Sequence, residues 1–119
     1  MLLNLNVPRI NEYMTNVFVE AAYAEAGQAV AIGAKLFDLT VDLSAAAPHD
    51  CPPITHYRVV SRERAWMRSL CVKPHDEPAV GAPLALLTTE PDEALEGAPA
   101  RPARVAIAAI MHQSIWGVR

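Results

Sequence analysis

A chain of 119 residues, 52% of them hydrophobic, has the length for one domain built around one core. Its formal charge of -3 and sequence pI near 5.7 exclude the basic footprint of a nucleic-acid binder. No apolar run approaches the roughly 20 residues of a bilayer span. The opening stretch 1–8 lacks a basic start and breaks at Pro8, so no secretory leader is expected and the cytoplasm is the expected compartment. Aromatic residues make up only 6%, so the core should rest mainly on Leu, Val and Ile.

In chain order, residues 4–8 read as a short strand, and Pro8, Asn11 and Glu12 as a turn. Residues 17–23 are apolar and bulky enough for a strand, although 20–26 compete for helix by composition. An internal repeat decides between the two. Sliding 17–42 forward by 48 positions lays it without a gap on 65–90. Gly33 falls on Gly81, Leu36 on Leu84, Leu39 on Leu87, Thr40 on Thr88 and Phe18 on Trp66. The second copy runs into Lys73-Pro74, where proline ends any helix, so strand is expected in both copies. Gly27-Gln28 and His75-Asp76 supply turns, and 36–41 and 84–89 read as further strands. Short strands between turn residues indicate an all-β sandwich or barrel. Two copies in so short a chain suggest intertwined halves of one domain rather than a repeat array.

Cys71, in the apolar run 69–72, is expected to be a small buried side chain, and Cys51 sits in a proline-rich loop. A bridge between them is not expected in a reducing compartment. Trp66 and Tyr57 are expected to pack on a sheet face. Arg58, Arg62, Arg64 and Arg68 form a basic stretch in an acidic chain, read as solvated strand faces and turns or as a docking patch for an acidic partner.

The segment 7–16, Val-Pro-Arg-Ile-Asn-Glu-Tyr-Met-Thr-Asn, resembles the opening of a lipoyl domain, and 25–36 resembles the Glu-Gly-Asp-x-Val-x-x-Gly-x-x-Leu signature that follows it. The resemblance extends over residues 4–90. It implies a barrel-sandwich hybrid of two four-stranded antiparallel sheets related by pseudo-two-fold symmetry. In that family a lysine at a hairpin tip carries lipoate or biotin. The matching tip here reads Asp42-Leu43-Ser44, and the aliphatic Leu43 has no amine to join to a cofactor. The chain's lysines, Lys35 and Lys73, fall in or beside strands instead. No cofactor is therefore expected, and Leu43 marks a degenerate attachment position.

By this alignment 45–55 is an insertion after the tip, stiffened by Pro48, Pro52 and Pro53. Within or beside it stand His49, Asp50, Cys51 and His56, all zinc ligand types. Their spacing fits no established ligand pattern, and adjacent residues of an extended chain point in opposite directions. His49, Cys51 and His56 are thus weak metal candidates, and no catalytic residue is assigned.

Residues 91–103 read as an acidic Ala/Pro-rich linker, and 104–119 as an apolar tail. As a helix the tail would gather Ile107, Ile110, Met111, Ile115 and Val118 on one stripe, with Trp116 near the other side. Either it packs back on its own sheets or on a symmetry mate, or Ile107, Ile110, Met111, Ile115 and Trp116 dock on a larger subunit. The domain order expected is 1–90 lipoyl-like, 91–103 linker and 104–119 docking tail. The expected function is a non-catalytic, cofactor-free docking or accessory subunit of a multienzyme complex, bound to larger protein subunits and to neither nucleic acid nor membrane. The alternative is a biotinyl- or lipoyl-type carrier, or a metal-binding enzyme subunit using the 45–56 loop.

Overall fold

The computed structural model describes residues 1–10, 12, 14–42 and 54–110. All regular structure among them is strand: β1 (Leu2–Asn6), β2 (Phe18–Ala22), β3 (Ala29–Val30), β4 (Lys35–Asp42), β5 (Ile54–Ser61), β6 (Ala65–Leu70), β7 (Pro83–Thr88), β8 (Arg101–Pro102) and β9 (Val105–Ala109). One sheet has the order β3-β6-β7-β1-β8 and the other β2-β4-β5-β9. Leu3, Leu5, Met67, Leu84 and Leu87 from the first sheet and Val19, Phe37, Leu39, Val41 and Val59 from the second form one buried cluster, so the two sheets pack face to face. Among the described residues no helix is long and apolar enough to cross a membrane.

The main chain repeats its local geometry at the offset that relates the two sequence copies. A bulge between Val19 and Ala21 in the β2/β4 ladder has its counterpart between Met67 and Ser69 in β6/β7. Gly27 N–H donates to Met67 O and Met67 N–H to Gln28 O; correspondingly, His75 N–H donates to Val19 O and Val19 N–H to Asp76 O. Gly27 and His75 share a left-handed backbone, with φ of 90° and 79°. The pair Gly33 N–H to Ser61 O and Ser61 N–H to Ala34 O is matched by Gly81 N–H to Val7 O and Val7 N–H to Ala82 O. Side chains do not repeat as faithfully. Phe37 and Ala85 hold matching positions and both are fully buried, so one large and one small residue share the space between the sheets.

The strands agree with the expected pattern at their centres and differ at particular edges. The expectation of two four-stranded antiparallel sheets is corrected to five and four strands, because Arg101–Pro102 adds to β1 in parallel. Ala100 N–H donates to Leu2 O and Ala103 N–H to Asn4 O, using the edge of β1 that β7 leaves open. Pro102 lacks an N–H and fits such an edge position. The tail, which would form one apolar stripe if helical, is strand over its described part. Val105–Ala109 pairs antiparallel with β5, from Ser61↔Val105 to Tyr57↔Ala109. Val105 and Ile107 pack on the core while Ala106 and Ala108 alternate outward, a period of two that β5's open edge favours over helix. Cys71 is exposed, not buried. The Met67/Ser69 bulge resets the alternation so that Leu70 packs on the core and the next residue turns outward.

A carboxylate at the β5–β6 turn fastens the C-terminal strands. Arg101 donates from its two terminal nitrogens to Glu63 Oε2 and Oε1 at 2.9 and 2.7 Å, and Arg104 N–H donates to Oε2 at 2.7 Å. The Arg101 hydrogen bonds, against an opposing effect of burial and with help from the Arg104 N–H, lower the Glu63 carboxyl from 4.5 to about 2.

Substitutions at the glycine turns and at Glu63 test this framework. Gly33 at φ 91° and Gly81 at φ 88° cannot take a Cβ without backbone strain, so Gly33→Ala and Gly81→Ala should each cost about 1–2 kcal/mol in urea unfolding. Glu63 has a depressed folded pKa, so its stabilisation is complete above about 4.5 and is lost as pH falls toward about 2. Glu63→Gln should lower stability by about 1–2 kcal/mol near neutral pH, after allowing for the partial exposure of the pair, and should flatten the stability profile between those pH values.

Candidate functional site

The outward face of the four-stranded sheet carries two side-chain networks of polar residues. β4 turns Phe37, Leu39 and Val41 inward, which leaves Asp38 and Thr40 facing outward. Register then sets their neighbours: Asp38 lies opposite Arg58 and Ala21, and Thr40 opposite His56 and Phe18. The bulge at Val19/Ala21 leaves Glu20 out of the pairing, and its carboxylate reaches Thr40.

Two networks result. In the first, Arg58 grips Asp38 through Nε to Oδ1 at 2.8 Å and through Nη2 to Oδ2 at 3.0 Å, while the Tyr23 hydroxyl donates to Oδ2. Lys35 Nζ lies 5.5 Å and Arg58 Cζ 5.7 Å from the Tyr23 ring centroid, both in range of cation–π attraction. Burial alone would raise the Asp38 carboxyl. Hydrogen bonds from Arg58 and Tyr23, with the charges of Arg58 and Lys35, outweigh burial and hold it below its ordinary value. The same hydrogen bond to Asp38, then desolvation, pushes the Tyr23 phenol up, and Asp38 likewise raises Arg58.

In the second network, Thr40 Oγ1 donates to Glu20 Oε1 at 2.8 Å and lies 3.0 Å from His56 Nδ1. The Glu20 carboxylate only accepts, so the hydroxyl gives it its one proton and accepts in turn from Nδ1–H of His56. A cavity of about 250 Å³ opens here, lined by Glu20, Asp38, Leu39, His56 and Ile110. It has room for water and small solutes, and it is smaller than the usual range of about 300–1,000 Å³ for ligand pockets.

The residues singled out from the sequence separate in the structure. His56 is on β5 in the network just described, whereas His49 and Cys51 lie outside the described residues, as does Leu43. Among the described residues no group of three His, Cys, Asp or Glu side chains is placed to hold a metal ion. Ile54 and Thr55, the latter expected at the end of the insertion, belong to β5 and pair with Asp42 and Val41. Ile107 packs on the core, Ile110 borders the cavity and donates its N–H to His56 O, and Met111, Ile115 and Trp116 lie outside the described residues. Lys35 begins β4, and Lys73 lies in the turn after β6, where its N–H donates to Asp76 Oδ2. Sequence reasoning missed Tyr23, Asp38, Glu20 and Thr40. Their signal was polar residues in apolar strands, interpretable only once the register paired them. No protein-family model, curated protein or solved structure matches the chain.

The Tyr23–Asp38 bond yields a direct test. Absorbance titration of the phenols should show one tyrosine ionising above the ordinary value near 10, absent in Tyr23→Phe, and Asp38→Asn should return it toward that value.

Proposed function

We propose that this protein is a cofactor-free, lipoyl-like module that serves as a docking or accessory subunit of a multienzyme complex in the cytoplasm. In this reading the two sheets are a barrel-sandwich hybrid whose halves are related by a pseudo-two-fold axis, with β8 and β9 as additions. The main-chain bonds that recur at the repeat's offset support it, since those of Val19 and Met67 each join a strand of one copy to a turn of the other. The positions of Lys35 and Lys73 agree with the loss of the carrier role, because neither follows β4 at the hairpin where the family holds its cofactor.

Docking falls to the part of the 45–55 segment that precedes β5 and to the residues beyond β9, with Met111, Ile115 and Trp116 as the apolar anchors. Ile107 is committed to the protein's own core, and β9 gives that segment a rigid root. Intact mass of the protein from its native cells should equal the unmodified chain; a lipoyl or biotinyl increment on Lys35 or Lys73 would sink the reading. Truncation after Ile110 spares β9 and should abolish co-purification with a larger enzyme subunit while leaving the melting temperature within a few degrees. Unchanged co-purification would place the contact elsewhere.

A further inference from the structure

The basic stretch noted in the sequence divides into engaged and unengaged side chains. Arg58 is consumed by Asp38, and Arg68 donates to Thr88 Oγ1 and to Glu93 O. Arg62 and Arg64 are exposed and, among the described residues, their side chains have no hydrogen-bonded or ion-paired partner. The acid between them, Glu63, is already neutralised by Arg101. Arg104 joins them from the crossing between β8 and β9, because Arg62 N–H donates to Arg104 O at 2.9 Å. The β5–β6 turn thus presents a net positive strip on a chain of charge -3.

On one side of this strip, Arg62 and Arg104 border an open depression with Pro102, Ala103 and Val105. On the other, Arg64 forms the rim of an apolar groove of about 350 Å³ made by Ala29, Val30, Ala31, Ala65 and Trp66. Ile32, next in sequence to the groove, is 67% exposed. The groove runs along β3, the terminal strand of its sheet. Gln28 and Val30 face Met67 and Ala65 as the hydrogen-bonded positions, with Met67 N–H donating to Gln28 O. Ala29, opposite Trp66, is the intervening position, so its N–H and C=O point away from β6 at the open edge.

We infer that this edge binds an extended acidic segment of a partner polypeptide, which pairs its main chain with Ala29, seats an apolar side chain over Trp66 and sets acidic side chains against Arg62, Arg64 and Arg104. The three elements select different features of one ligand: an open edge calls for an extended backbone, the groove for apolar residues at alternate positions, and the guanidiniums for carboxylates. A nucleic acid fits less well. It would bring phosphates to the arginines and leave the edge and the groove unused, and the strip is too small to offset the chain's negative charge. Its residues are neither those of the 45–55 segment nor those beyond β9, so the proposal stands or falls independently of the docking proposed above.

The test uses the full chain and a fluorescein-labelled peptide, Gly-Glu-Val-Glu-Leu-Glu-Gly, followed by anisotropy at about 50 mM salt. Binding in the micromolar to low millimolar range is expected. R62E/R64E should weaken it about tenfold or more, R62Q/R64Q by less, and Lys73→Glu, on an exposed turn elsewhere, should leave it unchanged. Since neither arginine side chain has a partner among the described residues, far-ultraviolet circular dichroism and melting temperature of these variants should match the parent. A peptide N-methylated at its edge-facing amides should bind about tenfold more weakly. The proposal is overturned by any one of four results: no binding up to about 1 mM peptide, binding indifferent to R62E/R64E, tighter binding of a single-stranded oligonucleotide, or self-association of the chain that R62E/R64E abolishes, which would make a second copy the occupant.

Discussion

Main-chain hydrogen bonds that pass from one sequence copy to the other hold this sandwich in register. Val19, in the first copy, exchanges bonds with His75 and Asp76 of the second; Met67, in the second, exchanges them with Gly27 and Gln28 of the first. Strand β3 finds its partner in β6, and Asn16 is bridged to Ala79. Neither segment completes its sheets alone, because strands of each pair with residues of the other. The left-handed turns are a necessary part of this exchange, since they bring each turn back against the opposite strand. Glycine adopts that backbone freely at position 27, whereas His75 adopts it with its ring packed 5.6 Å from that of Phe18.

Among the edges left by the pairings within 1–90 are one of β1 and one of β5, and an open edge is a hazard unless something covers it. The C-terminal segment covers both. It runs along β1 as β8, crosses, and pairs with β5 as β9, with Glu63 binding Arg101 of β8 and the Arg104 N–H within the crossing. A single carboxylate therefore fixes the path of two strands in different sheets. The outer edge of β3 is covered by no described strand, and β3 is, with β8, the shortest strand described.

Much of the all-β architecture was legible because the repeat arbitrated where local propensity was ambiguous. The stretch 20–26 favours helix by composition, yet its second copy contains Pro74 and excludes it. The pairing of Phe18 with Trp66 and Thr40 with Thr88 also followed from the offset, and these residues occupy matching ladder positions. Of what failed to show, the tail lay outside the duplication and Cys71 inside it. In 104–119 the helical stripe was one of two valid periods for an Ala- and Ile-rich run, and the open edge of β5, far back in the chain, decided between them over the described part. Cys71 was misplaced because a bulge shifts alternation without leaving a compositional mark.

Charge shows the same division between what a sequence counts and what a fold sorts. A run of four arginines reads as one basic patch, but strand alternation and register give each a different fate. Arg58 is set opposite an aspartate on the neighbouring strand, and Arg68 is directed onto a threonine and a carbonyl. Arg62 and Arg64 sit on either side of a turn whose central carboxylate is held by a more distant arginine. Pairing costs an arginine its conformational freedom and yields little at an exposed surface. The unpaired ones keep their full electrostatic reach, and the fold sets Arg64 at the groove along β3 and Arg62 at the depression on the other side of the turn. A solvated turn alone would account for two such residues. Their meeting with Arg104, an apolar groove and an open main chain is a product of the tertiary fold.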